Sequence, residues 1–86
     1  MVTMLIFHEV DDVDHWAASP TRAQYFGPLG ITVRPFRDPV GSNRVGLIVE
    51  APDVATWEAA LQSKEAAEAM KTDGVRPETL LALVQA

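Results

Sequence analysis

The sequence predicts an α+β domain in the order β-α-β-β-α-β, with four strands in one antiparallel sheet and two helices on one of its faces. Three observations carry this. Apolar, partly β-branched runs open and close the chain, at residues 2–10 and 79–84. Two further strand-like runs, 31–37 and 44–50, are separated only by the turn-forming stretch Asp38-Pro39-Val40-Gly41-Ser42-Asn43. Between the strands lie two stretches with apolar residues at helical spacing, each opened by aspartate and closed by glycine.

In the first strand, both alternating sets, Val2/Met4/Ile6 and Leu5/Phe7, are apolar, so both of its faces are expected to be covered. Asp11 or Asp12 then caps a helix whose inward face is Val13, Trp16 and Ala17. Pro20 lacks the N–H that would continue it. The helix is therefore expected to restart, with Ser19 as a new cap and Pro20 in the first turn, and to run through Ala23, Tyr25 and Phe26 until Gly27, Pro28 and Gly30 end it.

Pro35 cannot donate to a ladder, which places the second strand at an edge or a bulge. The third strand turns Val45, Leu47 and Val49 to one side, the side expected to meet the helices. Asp53 caps the second helix, whose stripe Val54, Trp57 and Leu61 loses phase at Ser63 and resumes with Ala66, Ala69 and Met70. A kink recapped by Ser63 and a stop at Gly74 follow. The last strand is read over 79–84.

At 86 residues the chain makes one domain, 1–86. A chain of this size hides only roughly 60 to 65% of its unfolded surface, so added burial is expected from self-association. The absence of cysteine removes disulfides and thiolate-bound metal as substitutes, and a cytoplasmic home fits. The net charge of -5 is spread out, with three basic and five acidic side chains through Asn43 and four and seven after it. Seven scattered cations do not form the clustered patch that nucleic acid requires. Residues 1–10 lack a basic lead-in and a cleavage site, and no apolar run approaches the roughly 20 residues of a membrane span, so a soluble protein without membrane partners is expected.

The run Val13-Asp14-His15-Trp16, the hairpin from Arg37-Asp38-Pro39 to Asn43-Arg44-Val45, and Ser63-Lys64-Glu65-Ala66-Ala67-Glu68-Ala69-Met70 before Gly74-Val75 resemble small members of the dimeric α/β-barrel superfamily, across nearly the whole chain. The resemblance implies a ferredoxin-like βαββαβ fold, two sheets facing each other across a dimer axis, and pockets between each sheet and its helices or within the barrel. Members range from cofactor-free monooxygenases through isomerases and cyclases to haem-degrading enzymes, so the fold does not fix the chemistry. No catalytic motif of one branch carries over residue by residue.

Among individual residues, His8 shares a strand face with Met4 and Ile6 and titrates near neutrality, which makes it a candidate proton carrier; the simpler reading is a strand-end histidine bonded to a carbonyl. Arg34, on the strand face of Thr32 and Phe36, is a candidate partner for a ligand oxyanion or one half of an ion pair. For Arg37 an ion pair is expected. Trp16, Tyr25 and Phe36 are candidate ligand contacts, with core packing as the alternative, whereas Trp57 reads as core. The cluster His8, Glu9, Asp11, Asp12, Asp14 and His15 is better explained by helix capping than by a metal, and no cofactor is expected. With neither a Gly-x-Ser-x-Gly elbow nor a cysteine nucleophile, covalent hydrolase chemistry is not expected.

Three functions fit. The first is a small-molecule-binding or accessory protein with a cavity at the sheet face of a homodimer. The second is a cofactor-independent enzyme of monooxygenase, isomerase or cyclase type acting on a small aromatic or polyketide-like molecule through His8 and Arg34. The third is a purely structural or interaction module.

Overall fold

The computed structural model describes all 86 residues, Met1–Ala86. Strand β1 (Val2–Val10) is followed by helices α1 (Val13–Ala18) and α2 (Thr21–Phe26) and a 3-10 turn at Gly27–Leu29. Strands β2 (Thr32–Arg37) and β3 (Arg44–Ala51) form the hairpin, helices α3 (Val54–Leu61) and α4 (Lys64–Asp73) follow, and β4 (Val75–Val84) closes the chain. The sheet order is β2-β3-β1-β4, antiparallel throughout, so each strand-helix-strand unit leaves room for a strand of the other. This is the ferredoxin-like arrangement, with β2 and its Pro35 at one edge.

Both helical regions are broken where the sequence interrupts them. The Asp12 side chain accepts the His15 N–H at 3.1 Å and opens α1, which stops before Pro20. The restart falls slightly later than expected: Ser19 Oγ accepts the Thr21 N–H at 3.2 Å, and the Pro20 carbonyl accepts from Gln24 at 3.1 Å. Asp53 accepts the Thr56 N–H at 2.7 Å, and Ser63 Oγ recaps α4 by accepting the Ala66 N–H at 3.0 Å. Gly74, at φ 72°, ends α4 in the left-handed conformation that glycine adopts without strain.

Strand β4 starts at Val75, earlier than the sequence suggests. Phe7 pairs with Leu81 but Glu9 pairs with Arg76, so residues 77–80 bulge opposite His8 alone. The Thr79 hydroxyl closes the bulge, accepting the Glu9 N–H at 2.8 Å and donating to the Arg76 carbonyl at 2.6 Å. Pro77 sits inside this bulge on an edge strand, where its missing N–H leaves no ladder bond unmade.

The pleat sorts the sheet into two unlike faces. Met4, Ile6, His8 and Val10 of β1, with Val45, Leu47, Val49 and Ala51 of β3, are buried beneath Trp16, Phe26, Trp57 and Ala60 of the helices. Phe26 stacks on Trp57 with ring centroids 5.3 Å apart, which ties α2 to α3. On the opposite face, Arg34, Ile48, Leu5 and Leu83 form one cross-strand row and Phe36, Gly46, Phe7 and Leu81 the next. Leu5, Phe7, Phe36, Leu81 and Leu83 are exposed there. No helix is long and apolar enough to cross a membrane.

Candidate functional site

Between the covered face of the sheet and the helices the side chains leave a cavity of about 60 Å³. Twelve of its sixteen lining residues are hydrophobic, so the four polar ones, His8, Thr21, Arg22 and Asp73, are the groups that can orient a guest.

His8 reaches the cavity because residues two apart on β1 share a face, here with Ile6 and Val10. It is 5% exposed, and its ring meets Trp16 edge-on at 5.6 Å and 78°. Nδ1 lies 3.5 Å from the Glu9 carbonyl oxygen, a long contact. Burial pushes its pKa below the ordinary 6.5; the Glu9 carbonyl partly opposes this, and the positive charge of Arg22 adds to it. The imidazole is therefore neutral at neutral pH and able to accept a proton.

Arg22 lies in the first turn of α2, just after the Pro20 break, and its guanidinium folds back over α1. Nη1 donates to the Trp16 carbonyl at 2.7 Å, which also accepts the Ser19 N–H, and Nη2 to the Ala17 carbonyl at 3.4 Å, both at the C-terminal end of α1. The same guanidinium lies 4.4 Å from the centre of the Trp16 ring. Asp73, in the last turn of α4, holds Oδ2 at 3.8 Å from Nη1, with the two side chains 11% and 4% exposed. Burial lowers the Arg22 pKa and the Asp73 charge opposes it. The other carboxylate oxygen, Oδ1, is buried and has no hydrogen-bond partner in the chain.

Tyr25 lies on the same cavity wall. Its hydroxyl donates to the Ala60 carbonyl at 2.8 Å and is bonded to Ser63 Oγ, so the residue that recaps α4 also fixes this ring. The α3–α4 break thus sets the position of a cavity-lining aromatic.

The structure brings His8, Trp16 and Tyr25 together and separates them from Arg34 and Phe36. β1 turns His8 toward the helices, while Arg34 pairs with Ile48 on the open face, so within one chain the two candidates lie on opposite faces of the sheet. Arg37 forms an ion pair, but with Asp14 of α1 at 2.9 Å rather than with a strand neighbour. The acidic cluster is otherwise engaged. Asp11 accepts from Arg76 at 2.8 Å, Asp12 caps α1, and His15 Nε2 donates to the Thr72 carbonyl at 2.9 Å. No three His, Cys, Asp or Glu side chains come together to hold a metal ion.

Arg22 and Asp73 are the site residues that the sequence reading missed. Their signal was periodicity. Arg22 precedes Tyr25 and Phe26 by three and four positions, and Asp73 follows Ala69 and Met70 at the same spacings, so each charge shares the face of an apolar stripe.

No protein-family model matches the sequence, and no curated protein matches it. Solved structures do. An antibiotic biosynthesis monooxygenase superposes with a TM-score of 0.65 at 11% identity, over 100% of this chain and 97% of that one. A Bacteroides thetaiotaomicron protein of unknown function, described as a candidate oxidoreductase, gives 0.61 at 11% identity over 98% and 92%. A candidate antibiotic biosynthesis monooxygenase from Deinococcus radiodurans gives 0.56 at 12% identity over 100% and 91%. The fold class is therefore a ferredoxin-like α+β domain, as the sequence resemblance implied. Within that class the likeness runs to antibiotic biosynthesis monooxygenase structures, and it is a likeness of fold.

Proposed function

We propose that this chain is a small-molecule-binding domain that acts as a homodimer, with the cavity between sheet and helices as the ligand site of each subunit. The observation that carries this reading is the convergence of buried His8 and Asp73 and partly buried Arg22 on one apolar cavity. Burying an ion pair gains little or no stability over an apolar packing of the same volume, and titratable groups displaced by burial cluster at functional sites. The open sheet face, with its exposed Leu5, Phe7, Phe36, Leu81 and Leu83, is the surface for the second copy. Gly46 adds shape to it, leaving a notch between Phe7 and Phe36 into which a partner side chain can fit.

Native mass spectrometry tests both parts. A dimer mass carrying one organic adduct per subunit, released on denaturation, is the expected result. A monomer at micromolar concentration overturns the dimer. A dimer that carries no adduct and whose Trp16 and Met70 signals respond to no member of a small-molecule library overturns the ligand site.

A second reading is favoured by one observation: neutral His8 and cationic Arg22 flank the same cavity. A base beside a cation suits proton abstraction from a neutral organic guest, with the positive charge of Arg22 rather than Arg34 stabilising the developing oxyanion. Monooxygenation, the activity named for one structure of this fold, is the reaction class to assay first. Loss of turnover in His8→Gln with ligand binding retained is the outcome expected of an enzyme, and full turnover in that variant overturns it.

A further inference from the structure

We infer that the cavity selects a small neutral alcohol, whose hydroxyl donates a hydrogen bond to Asp73 Oδ1; this rests on the cavity being a ligand site. Asp73 lines the cavity and is 3% exposed, and Oδ1 finds no donor anywhere in the chain. A buried acceptor left unmade is costly, so a guest that supplies a donor gains what the folded chain leaves unsatisfied. The remaining wall near it, Ala66, Ala69, Met70 and Leu80, is apolar and matches an aliphatic body.

Charge and hydrogen-bond capacity weigh against carboxylates, ammonium ions and ketones. A carboxylate would need an unbalanced cation, but the Arg22 charge is already opposed by Asp73 at 3.8 Å, and Asp73 repels an anion. An ammonium at Oδ1 would share the carboxylate with a guanidinium only 3.8 Å from its other oxygen. A ketone brings no donor. A hydroxyl satisfies Oδ1 without adding charge, and a volume of about 60 Å³ suits a guest of few heavy atoms.

The test uses 2-propanol, acetone and acetate, which are equal in heavy-atom count and differ in donor and charge. Each is titrated into the full chain while the Trp16 indole and Met70 methyl resonances are followed, with xenon as an apolar probe of the cavity. The expected result is that 2-propanol binds about tenfold more tightly than acetone and that acetate does not enter. In Asp73→Asn, which replaces one acceptor oxygen by a donor, the preference for 2-propanol over acetone collapses. Equal binding of 2-propanol and acetone, or an unchanged preference in Asp73→Asn, overturns the alcohol assignment while leaving the ligand site standing. Silence toward all three probes and xenon removes the ligand site itself. The wild-type series decides the assignment if the variant does not fold.

Discussion

The guanidinium of Arg22 lies 4.4 Å over the ring of Trp16 while donating to the carbonyl of that same residue at 2.7 Å. One cation thus contacts both the aromatic face and the C-terminal end of α1. Because His8 meets the same indole edge-on and Asp73 approaches from α4, the polar wall of the cavity behaves as one coupled unit.

Removing one member of the buried pair should cost more than removing both. Arg22→Ala leaves Asp73 uncompensated at 4% side-chain exposure, and a loss of about 3 to 5 kcal/mol in urea unfolding is expected. Arg22→Met combined with Asp73→Leu should recover most of that loss. Strict additivity of the single substitutions would show that the two residues are independent.

Stability should fall as pH drops below 6.5, and His8 supplies the reason. Its folded pKa is below the ordinary value, so between the two pKa values the unfolded chain binds a proton that the native chain does not. With more protons on the unfolded state, stability rises with pH across that window, levels off above it, and is lost as pH falls through the folded pKa. Asp38 and Asp53 also have lowered pKa values, through their bonds to Ser42 and Thr56, but their contributions fade only below the ordinary carboxylate value of 3.8. Chemical denaturation at a series of pH values should show the upper step in the wild type and none in His8→Gln; an upper step that survives in that variant would assign it elsewhere.

Ser63 performs two tasks with one oxygen, capping α4 through the Ala66 N–H and bonding the Tyr25 hydroxyl. Ser63→Ala should therefore cost about 1 kcal/mol as a lost cap, and somewhat more for the tyrosine. Tyr25→Phe should cost less than Ser63→Ala, since it leaves the cap intact, and thermal melts of the two variants decide the order. A larger loss for Tyr25→Phe would mean that the ring, rather than the cap, holds the α3–α4 break.

The fold was legible because its determinants are local: Asp12, Asp53 and Ser63 cap helices, Pro20 and Gly74 interrupt or end them, and the apolar pattern of β3 shows which side meets the helices. The start of β4 was not, because Pro77 argues against a strand unless a bulge is known, and a bulge depends on pairing with β1. The site was half legible. His8, Trp16 and Tyr25 follow from strand and helix phase, whereas Arg22 and Asp73 are charges on apolar stripes, which sequence reasoning assigns to solvent until a partner is seen across fifty residues of chain. Arg34 shows the converse: its face was read correctly, but that face lies away from His8.

The open sheet face should lose its partner when one central aromatic becomes charged. Phe7 is 46% exposed in the single chain and stands between Gly46 and Leu81 in the middle of the apolar rows. Covering it in both copies recovers about 1 to 2 kcal/mol in total, and Phe7→Glu replaces that gain with two carboxylates forced toward an apolar interface. The dimer dissociation constant should rise by at least about a hundredfold, read by sedimentation velocity across a concentration series. Val40→Glu is the control, because Val40 is 90% exposed in the hairpin loop and away from the face. Arg34 and Glu50, neighbours on that face without an ion-pair partner in their own chain, extend the test. If they pair between copies, Arg34→Glu weakens the dimer and the double substitution Arg34→Glu with Glu50→Arg restores it. Dimerisation unchanged in Phe7→Glu would move the interface elsewhere, and a weakened dimer that the charge swap fails to restore would return Arg34 to the list of candidate ligand contacts.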